Sequence, residues 1–265
     1  PPAEPAGLTA LRRVLLAYVA HSPNAGYCQA LNYLSGMILL LTDLREEEAF
    51  WLLVWLCDRG VPDFYSKAMT GIRLQQNLFA EYVRAALPQL SRHLERQGLP
   101  LSIASTRWFM CLYVDTLPAQ TILRVWDTLI LRGPLVLIRV GAALLKMAEA
   151  ELLGASDFCA LAATLQRLGS DQFDADRLFD VAYRQLERTA PFAARRVLDT
   201  AQAVYDSALA VTTPIAQHID EAESLRNRAS SDERSEMRRI SFIGRRSVSD
   251  ADDEMVEIDL DDLDE

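Results

Sequence analysis

The chain of 265 residues has four cysteines and three histidines, and neither type clusters. Cys28, Cys57, Cys111 and Cys159 form no Cys-x-x-Cys pair, and His21, His93 and His218 are equally scattered. The ligand spacing of a zinc or redox site is therefore missing, and no metal is expected. The thiols are expected to be free and buried, in a reducing compartment. Cys28 beside Gln29, with His21 upstream, hints at a thiol nucleophile, but no third group supports it. Glycine and proline number eleven each, few for this length, and β-branched runs are rare. With Leu, Ala, Arg and Glu abundant, that speaks against a turn-rich β-protein and for an all-α fold. The apolar run at 31–41 is too short and too interrupted to span a bilayer. The first residues lack the basic-then-apolar order of a secretory leader.

A basic face is also lacking. The net charge is −10, and 16 acids against 7 bases lie in residues 211–265. Residues 1–210 hold 21 acids and 20 bases and are close to neutral. Neither part has the cationic face that phosphate backbones require, so no nucleic-acid partner is expected. Half of the residues are apolar, enough for a sizeable core. The composition change near residue 212 divides the chain into a folded body, 1–210, and a Ser/Arg-rich, then acidic, tail, 211–265. The tail reads as largely disordered.

Apolar periodicity predicts nine or ten helices before residue 190 and no strand pair. The first begins near Thr9, with Leu8, Leu11, Leu15, Tyr18 and Val19 in register, and ends at Ser22-Pro23-Asn24. Gly26 allows a tight turn. The second runs over about 27–42, with Leu31, Leu34, Ile38 and Leu41 on one face. That puts Gln29 in its first turn, near the free amides and positive dipole end that suit phosphate oxygens. Residues 45–57 follow, acidic at the start and apolar nearly all round, which implies a buried helix. The irregular stretch from Asp63 carries Phe64 and Tyr65, and its length suggests a surface role. Further helices are predicted over 71–86, 89–97, 105–113, from Pro118 onward, 135–153, 158–168 and 177–187, with a last one opened by Pro191. No fixed-period repeat is visible.

Three stretches together are similar to one family. Leu11-Arg12-Arg13-Val14-Leu15 through Gly26-Tyr27-Cys28-Gln29-Ala30-Leu31-Asn32 resembles the segment bearing the Tyr-x-Gln motif of TBC domains, the Rab GTPase-activating family. Trp108-Phe109, then Pro118 and Arg124-Val125-Trp126-Asp127, resembles its second signature. Residues 133–146 resemble the apolar helix that follows. The resemblance covers about residues 8–188. It implies an all-helical TBC domain lacking its N-terminal part. It also implies a protein that is not an enzyme on a substrate of its own but completes the active site of a Rab-type small GTPase in its GTP form. GTP and Mg2+ would belong to that partner, and no cofactor is implied for this chain. The family uses two residues in trans, the glutamine of Tyr-x-Gln and an arginine from an Ile-x-x-Asp-x-x-Arg motif. GTP hydrolysis needs charge neutralised on the transferring phosphoryl group and a water aimed in line. Arginine supplies the first, and a glutamine amide can hold the second while donating to a phosphate oxygen. By resemblance Gln29 is that glutamine, with Tyr27 and Asn32 in support.

The chain departs from the pattern at two places. Ala30 stands where the family has glycine, which would put a methyl group at a close protein–protein approach. The arginine motif should lie upstream of Leu11; neither Arg12 nor Arg13 matches it, so the arginine is expected outside this chain. The alternative is a catalytically inactive TBC-like module that binds a GTPase or another partner as a scaffold. Residue by residue, Tyr27 either orients the turn or packs as an aromatic, and Asn32 either bonds locally or meets the GTPase. Arg124 and Asp127, three apart on one helix face, can pair there, and Trp108 and Trp126 read as core.

In the tail, arginines precede Ser231, Ser241 and Ser249 at spacings that basophilic kinases read, so these are candidate phosphosites on what is otherwise a solvated linker. Residues 250–265 hold ten acids with interspersed Met255, Val256, Ile258, Leu260 and Leu263. That pattern suits a short docking motif or a solubilising end. The resemblance further implies work in vesicle trafficking, from the cytoplasm, with indirect recruitment to the surface of endomembranes.

Overall fold

The computed structural model describes residues 5–22, 25, 27–189 and 192–211, and these form helices and turns with no strand. The tail beyond residue 211, with Ser231, Ser241 and Ser249, lies outside the described residues, as do Asn24, Gly26 and Pro191. Up to residue 189 there are twelve α-helical segments. They exceed the nine or ten expected because two long helices are each interrupted.

Helix α1 (Ala6–His21) packs against both α2 (Ala30–Leu41) and α3 (Glu46–Trp55). α1 starts ahead of Thr9, because the Pro5 carbonyl already accepts from the Leu8 and Thr9 amides. Its buried stripe is Ala10, Val14 and Tyr18 at i, i+4, i+8, while Leu8 is exposed and Leu11 and Leu15 are half-buried. The larger leucines suggested a stripe rotated away from the one that packs. On α2, Leu31, Leu34 and Ile38 are buried as expected, but Leu41 is exposed. α3 is not buried all round: Ala49, Leu53 and Val54 face the core, whereas Trp51 and Leu52 reach the surface. Trp51 makes edge contacts with Phe50 and His21 there.

A π-helical turn (Leu56–Gly60) then leads into residues 61–69. This connection runs inward, against the surface role expected of it: Phe64 and Tyr65 are buried. The Tyr65 hydroxyl donates to the Met110 carbonyl at 2.7 Å. Close beside this loop, a Cβ on Gly71 would come within 2.2 Å of the Pro62 carbonyl oxygen, so only glycine fits. Helices α4 (Thr70–Ala86) and α5 (Pro88–Arg96) follow, divided at the proline.

Helix α6 (Ser102–Met110) stops earlier than predicted. Leu112 and Tyr113 turn out of helical geometry with φ of 45° and 67°, a region that residues with side chains enter at a cost. Three contacts hold the turn. The Tyr113 amide donates to the Trp108 carbonyl at 2.9 Å. The Trp126 Nε1–H donates to the Leu112 carbonyl at 3.1 Å. The Tyr113 hydroxyl donates to the Leu137 carbonyl at 2.7 Å. Trp108 and Trp126 are thus core residues, as expected. Trp126 lies on α7 (Ala119–Arg132), and Leu137 on α8 (Leu135–Met147), which is buried along most of its length.

Ala148 separates α8 from α9 (Glu149–Gly154), which breaks the expected single helix. α10 (Phe158–Arg167) and α11 (Ala175–Asp180) start at Asp157 and Asp174, whose carboxylates accept from the Ala160 and Arg177 amides, both at 2.9 Å. A second π-helical turn (Val181–Gln185) joins α11 to α12 (Leu186–Thr189). α13 (Phe192–Val211) lies along α4. Gln75, wholly buried on α4, accepts from the Tyr205 hydroxyl of α13 and donates to the Pro134 carbonyl at 3.3 Å.

The expected Arg124–Asp127 pair does not form. Arg124 reaches across to α11 instead, at 3.2 Å from Asp176 and over the Phe179 ring. A flat guanidinium gains more from a ring and a carboxylate on the neighbouring helix than from a short aspartate one turn along its own. Asp127 is exposed.

Candidate functional site

The Tyr-x-Gln segment lies at the start of α2. Ala30 is the first helical residue, so Gln29 stands at the N-cap rather than inside the first turn. The helix begins late because Cys28 organises the entry. Its carbonyl accepts from the Leu31 amide at 2.8 Å, which satisfies one of the amides that open a helix. The Gln29 side chain makes no cap, is exposed, and has no hydrogen-bond partner among the described residues. Its amide is available to an incoming group.

Tyr27 is 54 % exposed, so it is a surface ring and not a packed one. Asn32 is half-buried and its Oδ1 accepts from the Tyr33 amide at 2.9 Å, a local bond within the helix start. Ala30 is only 5 % exposed and packs in the core. Its methyl group points away from any partner that meets Gln29, which removes the steric objection raised by the missing glycine.

Sequence reasoning missed Tyr33. It is 43 % exposed and one turn beyond Gln29, where i, i+4 spacing puts both on one face. It also missed Arg107 on α6. Arg107 donates from Nε to Asp115, eight residues on and past the turn that ends α6.

Arg13 differs from Arg107. Its Nε donates to Glu46 Oε2 at 2.8 Å and its Nη2 to Oε1, so one edge of the guanidinium is held by two bonds to α3. Arg13 clamps two helices, and Arg12 is exposed on α1.

Tyr18, Cys57, Tyr65 and Cys111 are buried in the core. Burial pushes the Cys111 thiol up to about 12 and the Cys57 thiol higher still, and burial also raises Cys28. Each stays protonated at neutral pH, so a thiolate nucleophile beside Gln29 is not formed. The expectation of four buried thiols holds for Cys57 and Cys111 only: Cys28 is half-buried and Cys159 exposed. Among the described residues no group of three or more His, Cys, Asp or Glu could hold a metal ion. No helix among them is long and apolar enough to cross a membrane.

Comparison with known proteins bears on this arrangement. The family model for the Rab-GTPase-TBC domain matches residues 3–153. Growth hormone-regulated TBC protein 1 of Homo sapiens is 43 % identical over 152 residues, covering 56 % of this chain and 45 % of that protein. The Xenopus laevis protein of the same name is 39 % identical over 166 residues, covering 63 % and 48 %. The chain thus spans about half the length of these curated relatives. Among solved structures, the Chlamydomonas flagellar RabGAP TBC domain is 32 % identical with a TM-score of 0.61, covering 68 % of this chain and 60 % of that one. The Ypt/Rab-GAP domain of Gyp1p is similar in fold, with a TM-score of 0.59 over 68 % of this chain and 65 % of that one at 21 % identity. The matched stretch runs through the Gln29 turn, the strained turn after α6 and the Trp126 helix, and on that ground the chain belongs to the Rab-GTPase-TBC domain family.

Proposed function

We propose that the chain is the glutamine-bearing part of a GTPase-activating protein for a Rab-type small GTPase. It meets the GTP form of the partner at the start of α2. The Gln29 amide accepts from the attacking water and donates to a phosphate oxygen, and an arginine from outside this chain neutralises the developing charge. The observation that carries this reading is the state of Gln29: an exposed amide with no partner among the described residues, at the N-terminus of a helix, where the dipole is positive. Tyr27 and Tyr33 flank it as exposed amphipathic rings of the kind interfaces favour. Both arginines nearest in sequence are poor substitutes for the finger, since Arg13 is clamped by Glu46 and Arg12 extends from the middle of α1. GTP and Mg2+ come with the partner. The protein acts from the cytoplasm, at endomembrane surfaces to which its partner brings it.

The test is nucleotide-dependent binding. Purified Rab GTPases, each loaded with GDP, with GDP and aluminium fluoride, or with a slowly hydrolysed GTP analogue, are titrated against the chain. The reading expects at least one to bind in the triphosphate or fluoride state and not with GDP. Equal binding in all three states, or none, contradicts it. A scaffold that holds the GTPase without speeding hydrolysis would bind the triphosphate form with no gain in the fluoride state.

A further inference from the structure

Helix α2 carries no charged side chain, and its outer face is apolar where a solvent face is normally polar. Gln29 has helical backbone angles, φ −53° and ψ −30°, so the period of α2 runs back through it. At about 100° per residue, Gln29, Tyr33, Gly36 and Leu40 fall within an arc of about 60°. They form one stripe along the outside of the helix. The buried residues Leu31, Leu34, Ser35 and Ile38 lie on the opposite side, where α1 and α3 pack. Tyr33 is 43 % exposed and Leu40 74 %, and the exposed Leu41 and Leu44 widen the far end. Between ring and leucine sits Gly36, half-buried, where an added Cβ would meet nothing within 4 Å. From Gln29 outward the stripe is a ring, a notch and a leucine.

What covers it follows from reach. A partner whose nucleotide meets the Gln29 amide also lies over the first turn of α2. A stable complex buries about 800 Å² on each side, a patch about 30 Å across. Tyr33, Gly36 and Leu40 lie about 6, 11 and 17 Å along the axis from Gln29, so a patch of that size takes in all three. The face dictates the chemistry of what meets it. Beyond Gln29 the stripe offers no charge, so a charged group pressed onto it would be desolvated without a counterpart. Other occupants fit less well. Asp43 and Glu47 are exposed just past the far end, and acids there repel an anionic bilayer. A second copy laid along the stripe would close off Gln29.

We propose that the GTPase docks along this face of α2, with an uncharged apolar part of its surface seated in the Gly36 notch between Tyr33 and Leu40. The inference rests on the Gln29 reading and goes further by naming the surface that supplies affinity. Gln29 meets the nucleotide; the stripe holds the partner in place and does not touch the reacting atoms.

The experiment titrates the chain against a panel of Rab GTPases loaded with a slowly hydrolysed GTP analogue, at low and moderate salt. Leu40→Ser is expected to weaken binding about tenfold, by the same factor at both salts, because no charge is lost. Gly36→Gln fills the notch. It is expected to bind about tenfold or more weakly and yet unfold no more easily, since the space is open and glutamine is the better helix former. A merely structural role for Gly36 would not separate the two readouts in that way. Leu131→Ser, on an exposed leucine of α7, is expected to bind as the parent does, and a loss as large as that of Leu40→Ser counts against the stripe. The parent is expected to sediment as a monomer and to leave phosphatidylserine vesicles unbound. A dimer, or vesicle binding, that Leu40→Ser abolishes assigns the stripe to a second copy or to a membrane and overturns the proposal. Full affinity in both Leu40→Ser and Gly36→Gln, with a GTPase bound by the parent, overturns the docking face and leaves the Gln29 reading standing. Failure of the parent to bind any GTPase in the panel overturns both.

Discussion

Gly141→Ala is expected to destabilise the domain, although alanine is the better helix former. Gly141 lies inside α8, where replacing glycine by alanine gains about 1 kcal/mol of helix propensity. A Cβ there would stand 2.8 Å from the Tyr113 hydroxyl and 3.0 Å and 3.2 Å from two atoms of the Phe79 ring. That hydroxyl donates to the Leu137 carbonyl at 2.7 Å, so it is held against the helix backbone. Tyr113 and Phe79 are both fully buried and cannot swing away. Overpacking costs about 1–3 kcal/mol, and prising the hydroxyl from its partner adds about 1–3 kcal/mol. The net loss is about 1–5 kcal/mol, which at about 2–4 °C per kcal/mol is a fall in Tm of several degrees or more. Gly36→Ala is the matched control: it too lies inside a helix, and nothing lies within 4 Å of the added Cβ. It is expected to stabilise by up to about 1 kcal/mol. Urea unfolding followed by circular dichroism measures both, and adding Tyr113→Phe to Gly141→Ala should recover part of the loss. A Gly141→Ala variant as stable as the parent would refute the account of how the turn after α6 is held.

Three further outcomes follow from the same contacts. Tyr205→Phe leaves the buried Gln75 oxygen without its donor, a loss of about 1–3 kcal/mol, and hydrogen exchange should show the amides of α13 opening first. With a thiol reagent at pH 8, Cys159 should react at once, Cys28 more slowly, and Cys57 and Cys111 only on unfolding. Because burial raises the folded Cys111 thiol from 9.0 to about 12, its contribution to stability is whole below pH 9 and is lost as the pH rises toward 12. Unfolding midpoints measured from pH 8 upward should fall over that window, and a Cys111→Ser variant should show less of the fall.

The helical class and most helix ends were legible because they rest on local chemistry. Asp157 and Asp174 cap helices from positions that local rules favour, and Pro88 and Pro118 stand at helix starts. What local pattern cannot carry is which face packs. Leu8 and Leu41 looked like core and are exposed, whereas Phe64 and Tyr65 looked like surface and are buried. In each case the decision belongs to a distant partner, such as the Met110 carbonyl that takes the Tyr65 hydroxyl. The same holds at the site. Gln29 could be named from its motif, but that Ala30 is buried and that Arg13 is tied to Glu46 depend on contacts between α1, α2 and α3. Arg124 shows the converse error, in which a local pairing rule lost to a ring and a carboxylate on another helix.

The central claim is that the Gln29 amide acts on the partner's nucleotide. Single-turnover GTP hydrolysis by a responsive Rab GTPase, with the protein and its Gln29→Ala variant, tests it most directly. The account predicts a rate lower by about tenfold or more for the variant at saturating activator. An unchanged rate with Gln29→Ala, in a variant whose fold is intact, would contradict it.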